Sequence, residues 1–140
     1  MYLTIYYTII KIVGIILIFS GIAKFIYPDS FSNILDIIFT SDSIFAFFHF
    51  AIPILELYLG FTLVLSSNNI YAIASAAALM VLFTLTAYFY RLSSSLECGC
   101  FGSFPKITFG GCFYFGNILI VLLIIFACGI KYWFQRIKLA

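Results

Sequence analysis

The chain has 140 residues, of which 65% are hydrophobic and 9% are charged, and its formal net charge is +2. A soluble fold of this size could not bury so much apolar surface, and a disordered chain would not contain 18 Phe and 10 Tyr. The near-balanced charge, without a basic run, also argues against nucleic-acid binding. The composition therefore predicts an integral membrane protein in contact with the lipid bilayer.

Four stretches are apolar enough, and long enough, to cross about 30 Å of hydrocarbon, which takes about 20 residues. They cover approximately residues 2–23, 44–66, 70–90 and 113–130. Because backbone groups in lipid must hydrogen-bond within the chain, each stretch is predicted to be a helix. The predicted fold is an all-α, four-helix membrane bundle that forms a single domain over residues 1–140.

The connections between these spans differ in kind. Ser67-Asn68-Asn69 predicts a tight turn between the second and third spans. The segment 24–43 has apolar residues at helical spacing, which favours a short helix lying in the membrane interface. Those residues are Phe31, Ile34, Leu35, Ile38 and Phe39. The segment 91–112 is a loop rich in Ser, Gly and Cys before the last helix.

The distribution of basic residues predicts the orientation of the bundle. The C-terminal tail carries Lys131, Arg136 and Lys138, whereas the segment 24–43 has one Lys and three Asp. Basic segments tend to stay on the cytoplasmic side of the membrane. With an even number of spans, both termini are predicted to be cytoplasmic, and the Cys-containing loop is predicted to lie outside the cytoplasmic (inner) membrane.

The outer loop contains two cysteines that are separated by one glycine, Cys98-Gly99-Cys100. Gly99 tolerates backbone angles closed to other residues, so a turn can bring the two sulfurs together. Their disulfide would close a ring of about 11 atoms, and strained, exposed disulfides tend to be labile or catalytic. The compartment outside the cytoplasmic membrane permits oxidised cysteines. The pattern predicts a redox-active dithiol and hence a thiol–disulfide oxidoreductase.

The remaining cysteines leave alternatives open. Cys112 lies on the same side as the pair and is interpreted as a relay or resolving thiol, or as a structural disulfide partner of Cys98 or Cys100. Paired thiolates also suit copper(I) or zinc, but the loop has no His or Met to complete a ligand set, so no metal site is predicted. Cys128 lies about 24 Å along the last helix from Cys112 and is interpreted as a small buried hydrophobe.

Ionisable residues inside the predicted spans form a second group of candidates. His49 and Glu56 are seven residues apart on one face of the second span. Lys11 and Glu56 both lie about 15 Å from the inner face, which predicts a Lys11–Glu56 ion pair, with proton handling by Glu56 as the alternative. His49 is a candidate proton donor or acceptor for thiol chemistry, or else a packing residue.

Several motifs resemble those of one family. Residues 98–102 resemble the CGCFG signature of the methylamine-utilisation protein MauE family, within the DoxX-like membrane proteins. Residues 20–24, followed by Pro28 and Phe31, resemble its SGxxK…PxxF element, and Pro53 to Glu56 with Gly60 resembles its PxxE…G element. The matches cover nearly the whole chain in the family's order.

This resemblance implies a four-helix membrane bundle involved in disulfide formation or thiol-electron transfer. It marks Cys98 and Cys100 as the redox pair, and Lys24, Pro53 and Glu56 as family positions to which it assigns no role. We separately predict a proton-handling or structural role for Lys24, as for Glu56. The expected partners are a thioredoxin-like extracytoplasmic protein and other membrane subunits. No cofactor is expected to be required. The bundle is also similar to vitamin K epoxide reductase-like enzymes, but their Cys-x-x-Cys is absent, so the sequence does not support a quinone.

Two other functions remain open at this stage. The first is a non-enzymatic assembly or chaperone subunit of a membrane complex, in which a structural disulfide fixes the outer loop. The second is a protein that handles a soft metal through its paired thiolates. The redox state of Cys98 and Cys100 in intact cells would discriminate between these functions and the oxidoreductase.

Overall fold

The computed structural model describes residues 2–91 and 112–139. Those residues form five helices and no strand, which confirms the all-α prediction. The helices are α1 (Tyr2–Ile26), α2 (Asp29–Ile38), α3 (Asp42–Leu65), α4 (Ile70–Arg91) and α5 (Cys112–Leu139). Helices α1, α3, α4 and α5 correspond to the four predicted spans with ends that agree within three residues, except that α5 continues nine residues beyond the predicted end at residue 130. The predicted loop between α4 and α5 falls outside the described residues.

The apolar surface of the bundle fits a membrane environment. Among the described residues, Leu3–Ile26 and Asp42–Leu65 are long and apolar enough to cross a membrane by length and composition. The other two long helices contain shorter apolar stretches, Ile70–Thr86 and Ile118–Trp133. Large apolar side chains such as Phe47 on α3 are exposed. Contact of these side chains with lipid is favourable, whereas their contact with water is unfavourable.

The closest helix packing in the bundle is between α1 and α3. A Cβ atom added to Gly14 would lie 2.8 Å from the backbone oxygen of Gly60, and one added to Gly60 would lie 2.7 Å from the backbone oxygen of Gly14. Farther along α1, a Cβ on Gly21 would lie 3.0 Å from the backbone oxygen of Pro53. The order of these contacts shows that the two helices are antiparallel. Small residues permit such close approach of two backbones.

The core lies along the axis of the four long helices. On α1 it is formed by residues that recur every three or four positions, which places them on one helical face. The largest fully buried apolar side chains of the core are Tyr6, Ile10, Val13, Leu17 and Leu63. Buried residues of α4 and α5, such as Ala76 and Ile124, complete it.

The predicted turn between α3 and α4 is confirmed. The backbone N–H of Asn69 donates to the carbonyl of Ser66 at 3.1 Å. The Asn69 side-chain oxygen accepts from the N–H groups of Tyr71 at 3.1 Å and Ala72 at 3.3 Å, and thereby caps the start of α4. A turn this short requires α3 and α4 to be antiparallel.

The contacts of Lys131 show how α5 lies relative to this turn. The Lys131 ammonium donates a hydrogen bond to the Asn68 side-chain oxygen, and it lies 5.0 Å from the centre of the Tyr6 ring. The start of α1, the turn between α3 and α4, and the later part of α5 therefore lie at one end of the bundle, which we call the turn end. The opposite end contains α2, together with the last residue of α4 and the first residue of α5, and we call it the α2 end.

The short helix predicted between the first two spans is α2. Its residues Phe31 and Leu35 are buried, whereas Asp29 and Asp36 are exposed. The buried side chains face the bundle, so α2 covers one side of the α2 end. Its position in a membrane interface stays a prediction.

Candidate functional site

A buried ion pair between Lys24 of α1 and Glu56 of α3 is the main polar feature of the described interior. The Lys24 ammonium donates to the two carboxylate oxygens of Glu56 at 2.7 and 2.8 Å, and to the hydroxyl oxygen of Ser20 at 2.8 Å. The Ser20 hydroxyl in turn lies 3.3 Å from the nearer Glu56 oxygen. Both charged side chains are completely buried. An ammonium has three N–H donors, and each has an acceptor here.

Two aromatic rings enclose the same ammonium. The Lys24 nitrogen lies 5.1 Å from the centre of the Phe83 ring on α4 and 5.7 Å from the centre of the Phe31 ring on α2. A cation within about 6 Å of an aromatic face is attracted by the negative charge density of that face. The ion pair is therefore held among side chains from four helices.

The local sequence explains how the pair forms. Ser20 and Lys24 are four residues apart on α1 and share one face of the helix. A long helical side chain points back toward the N-terminus, so the Lys24 ammonium reaches the level of Ser20. Gly21, between these two residues, allows α3 to approach at Pro53, and Glu56 follows Pro53 by three residues. A side chain at position 21 would separate α1 from α3 at the level where the Lys24–Glu56 ion pair forms.

The predicted Lys11–Glu56 pair is wrong, because the partner of Glu56 is Lys24 and the Lys11 side chain is exposed. Depth along the helix axis was the basis of that prediction, and depth ignores rotation around the axis. Ile10 lies on the buried face of α1, and Lys11 is rotated from it by about 100°. Lys24 lies on the buried face of α1 with Ile10, but α1 also has large apolar residues on its exposed face, so its sequence alone does not mark which face is buried.

His49 is half-buried between α2 and α3. Its Nδ1 atom is 3.3 Å from the Ser32 hydroxyl oxygen. Its ring stacks with that of Phe31, with centres 5.9 Å apart, and with that of Phe45, with centres 5.6 Å apart. These contacts attach α2 to α3 beside the ion pair. A role for His49 in thiol chemistry stays a prediction.

The predicted cysteine site is only partly within the described part of the chain. Cys98 and Cys100 lie outside the described residues. Cys112 is the first residue of α5, but its side chain is outside the described part, so its relay role stays a prediction. Cys128 has a free thiol and packs against the core, but it is half-buried rather than buried as its interpretation expected. Within residues 2–91 and 112–139, no three His, Cys, Asp or Glu side chains are grouped as metal ligands.

The contacts of the Lys24–Glu56 pair are those of a structural ion pair that holds α1 and α3 together. The pair is neutral overall, its donors have acceptors, and its position joins the two most closely packed helices. A carboxylate left alone at this depth would be strongly destabilising, since desolvating a single charge costs several kcal/mol. The structure thus favours the structural alternative for Glu56 and Lys24 over free proton handling.

Comparison with known proteins identifies the family. The model of the family described as methylamine utilisation protein MauE matches residues 3–129. The match includes both residues of the ion pair and the Cys98-Gly99-Cys100 sequence. No curated protein and no solved structure matches the chain. Because the family match covers most of its length, the chain belongs to the MauE family, and with its long apolar helices it is a membrane protein.

Proposed function

We propose that this chain, as a member of the MauE family, exchanges thiols and disulfides with an extracytoplasmic thioredoxin-like protein. The exchange would use Cys98 and Cys100. The Cys98-Gly99-Cys100 sequence carries this proposal, because two thiols separated by a single glycine can form a short, strained disulfide. The family is named for methylamine utilisation, and we propose that the exchange serves a protein of that metabolism.

The proposed reaction has two steps that conserve atoms and electrons. The Cys98 thiolate attacks a disulfide of the partner, which forms a Cys98–partner disulfide and releases one partner thiolate. The Cys100 thiolate then attacks the Cys98 sulfur, which releases the second partner thiolate and leaves a Cys98–Cys100 disulfide. Two electrons pass from this chain to the partner, and the reverse sequence oxidises the partner. The reaction needs no cofactor.

We assign attack to Cys98 and resolution to Cys100 from their neighbours in the sequence. Cys98 follows the polar run Ser93-Ser94-Ser95, whereas Cys100 precedes Phe101. The attacking thiol of such a pair is the more exposed one, and a polar flank favours exposure.

The proposed topology has four spans in the cytoplasmic membrane, with both termini in the cytoplasm. The alternating directions of the four long helices support it, because they place the start of α1 and the later part of α5 at the turn end. The basic residues of the tail belong to that end. The chain between α4 and α5 leaves and re-enters the bundle at the α2 end, where His49 and the ion pair also lie. In this topology that end faces outward.

The proposed function predicts that a variant without the resolving thiol traps its partner. In Cys100→Ser, the first step still forms the Cys98–partner disulfide, but the second step is blocked. We expect a mixed disulfide with a thioredoxin-like protein, visible as a larger band that disappears on reduction and identified by mass spectrometry.

Cys98→Ser is the matched control and should trap nothing. Cys112→Ser combined with Cys100→Ser should still trap the partner, because Cys112 takes no part in the first step. The alternative in which the loop disulfide is purely structural predicts otherwise. In that case neither Cys98→Ser nor Cys100→Ser traps a protein, and both lower the amount of folded protein.

A further inference from the structure

One side of α1 that points away from the bundle changes from polar to apolar along its length. Thr4, Thr8, Lys11, Ile15 and Ile22 are exposed, and their spacings of three, four and seven residues place them on one helical face, which we call the outer face of α1. The polar residues lie toward the turn end, and the two isoleucines lie toward the α2 end. The Thr8 hydroxyl donates to the Thr4 carbonyl at 2.8 Å, so the charge of these five residues is that of Lys11.

The length of a lysine side chain lets the Lys11 ammonium reach the level of Tyr7. On the same helix, the Lys24 ammonium binds the hydroxyl of Ser20, which lies four residues closer to the N-terminus. Long helical side chains point in that direction. The same reach takes the Lys11 ammonium from the middle of the apolar helix to the turn end.

The turn end has the composition of a membrane–water interface. Tyr71 at the start of α4, and Tyr132 and Trp133 on the later part of α5, are exposed there. Exposed Tyr and Trp are enriched where hydrocarbon meets the lipid headgroups. A lysine whose apolar stem crosses hydrocarbon keeps its charged end at this level, so in a membrane the Lys11 ammonium would lie at the depth of the lipid phosphates.

Among the described residues, no carboxylate is placed to neutralise Lys11. Glu56 is paired with Lys24. The described aspartates, which belong to α2 and to the first residue of α3, lie exposed at the α2 end: Asp29, Asp36 and Asp42. A second copy of the chain in the same orientation would therefore bring no described acid to Lys11. The phosphate of an anionic lipid is a negative charge that is present at the right depth.

We propose that the outer face of α1 binds one anionic phospholipid, with the lipid phosphate on the Lys11 ammonium and an acyl chain along Ile15 and Ile22. The chemistry along the helix has the same order as in the lipid, because the hydroxyl and ammonium groups lie at the headgroup level and the apolar groups follow toward the membrane centre. An anionic headgroup is attracted by a basic side chain more than a zwitterionic one, whose phosphate is already offset by its own ammonium. Binding depends on the membrane location of the bundle and not on the thiol chemistry.

Lys131 provides a matched comparison at the same end of the bundle. Its ammonium lies 5.0 Å from the centre of the Tyr6 ring and binds the Asn68 side chain. Tyr6 precedes Lys11 by five residues, which corresponds to about 140° around the axis of α1. Lys131 thus lies on the side of α1 that faces the bundle, with contacts inside the protein. It has the same charge as Lys11 but does not belong to the outer face.

The test is a titration of the purified full-length protein in detergent with dioleoyl phosphatidylglycerol, in which native mass spectrometry measures the lipid-bound fraction. We expect the wild-type protein to bind this lipid more tightly than dioleoyl phosphatidylcholine. Lys11→Met should weaken the binding of phosphatidylglycerol about fivefold, which is the effect of one basic residue near an anionic membrane surface. Lys11→Arg retains the charge and should bind as the wild type does. Lys131→Met is the control and should leave the dissociation constant unchanged.

Equal binding of phosphatidylglycerol by Lys11→Met and the wild-type protein would overturn the inference. An equal loss in Lys131→Met would also overturn it, because net charge rather than the outer face would then be the cause. Displacement of the lipid by an equal concentration of inorganic phosphate would indicate a site for free phosphate instead. If Lys11→Met binds lipid normally but loses a membrane protein that co-purifies with the wild type, the partner of Lys11 is an acidic residue of that protein and not a lipid.

Discussion

Lys24 and Glu56 illustrate how a membrane bundle accommodates charge. Neither residue could be buried alone, since an unpaired charge loses its hydration and gains nothing in exchange. Together they form two short hydrogen bonds, and the Ser20 hydroxyl accepts a third from the ammonium. The pair is specific because its geometry depends on the close approach of α1 and α3.

At the residue scale, we predict that single neutralising substitutions in the pair are more harmful than the double one. Lys24→Met and Glu56→Gln should each lower the free energy of unfolding by about 3–5 kcal/mol, because each leaves one buried charge or polar group without its partner. The double variant should recover most of that loss. The measurement is the fraction of monodisperse protein that survives heating in detergent.

Lys11→Met is the control for this experiment, because Lys11 is exposed and is not the partner of Glu56. Its thermal stability should match that of the wild-type protein. If the double variant is no more stable than the two single variants, the pair does not act as a unit.

At the scale of single elements, the described side chains of α2 attach it through few contacts. Phe31 and Leu35 supply the apolar contacts, and the Ser32–His49 hydrogen bond at 3.3 Å supplies a polar one. Segments with few buried contacts open locally at low free energy. The stability of α2 should thus depend on individual side chains in a way that the stability of α1 does not.

Ser32→Ala tests the attachment of α2. The loss of one hydrogen bond of about 1 kcal/mol should speed amide hydrogen exchange within residues 29–38 about fivefold. Exchange within residues 70–86 of α4 should stay at the wild-type rate and serves as the internal reference. Equal acceleration in both helices would show that the bond stabilises the whole bundle rather than α2.

The contact between α1 and α3 provides a second prediction at this scale. Gly60→Ala would place its Cβ 2.7 Å from the backbone oxygen of Gly14, so the two helices would have to separate. We expect a lower melting temperature, because separation also lengthens the Lys24–Glu56 hydrogen bonds. Gly129→Ala is the control: among the described residues, no atom beyond its chain neighbours and the adjacent backbone of α5 lies within 4 Å of an added Cβ. Alanine also favours a helix over glycine by about 1 kcal/mol. A melting temperature that does not fall in Gly60→Ala would contradict the close packing.

At the scale of the whole molecule, the bundle has two different ends. The turn end contains the Lys131 contacts and is the end at which the basic C-terminal segment lies. The α2 end contains the ion pair and the attachment points of the chain between α4 and α5. The Lys24–Glu56 pair and the two attachment points of the chain that contains Cys98 and Cys100 therefore lie toward the same end. The orientation of that end in the membrane decides which compartment the thiols face.

The proposed topology predicts that a membrane-impermeant maleimide labels Cys98 and Cys100 in intact, reduced cells. Cys128 should be labelled only after the membrane is permeabilised and the protein is denatured, because it lies toward the turn end and packs against the core. Labelling can be followed residue by residue in variants that retain one cysteine. Labelling of Cys98 and Cys100 only after lysis would reverse the orientation.

The all-α architecture and the helices of this protein follow from local patterns in its amino-acid sequence. In lipid, the backbone N–H and C=O groups of an apolar stretch of about 20 residues must hydrogen-bond to each other, and a helix allows this. Hydropathy therefore located all four long helices. The short turn between α3 and α4, and the amphipathic α2, also follow from local residue patterns. The Cys98-Gly99-Cys100 motif and the family resemblance were likewise evident from the sequence, and the family match to residues 3–129 confirms that resemblance.

Which lysine neutralises Glu56 depends on how α1 and α3 pack against each other. Counting residues gives the depth of Lys11 and Glu56 but not the side of the helix to which each points. The close approach of Gly14 to Gly60 and of Gly21 to Pro53 fixes the rotation and register of α1 against α3. With that rotation Lys11 faces outward, and Lys24, which lies near the end of α1, extends back to reach Glu56. Pairing between helices depends on this rotation and register, and neither can be derived from the sequence periodicity of a single helix.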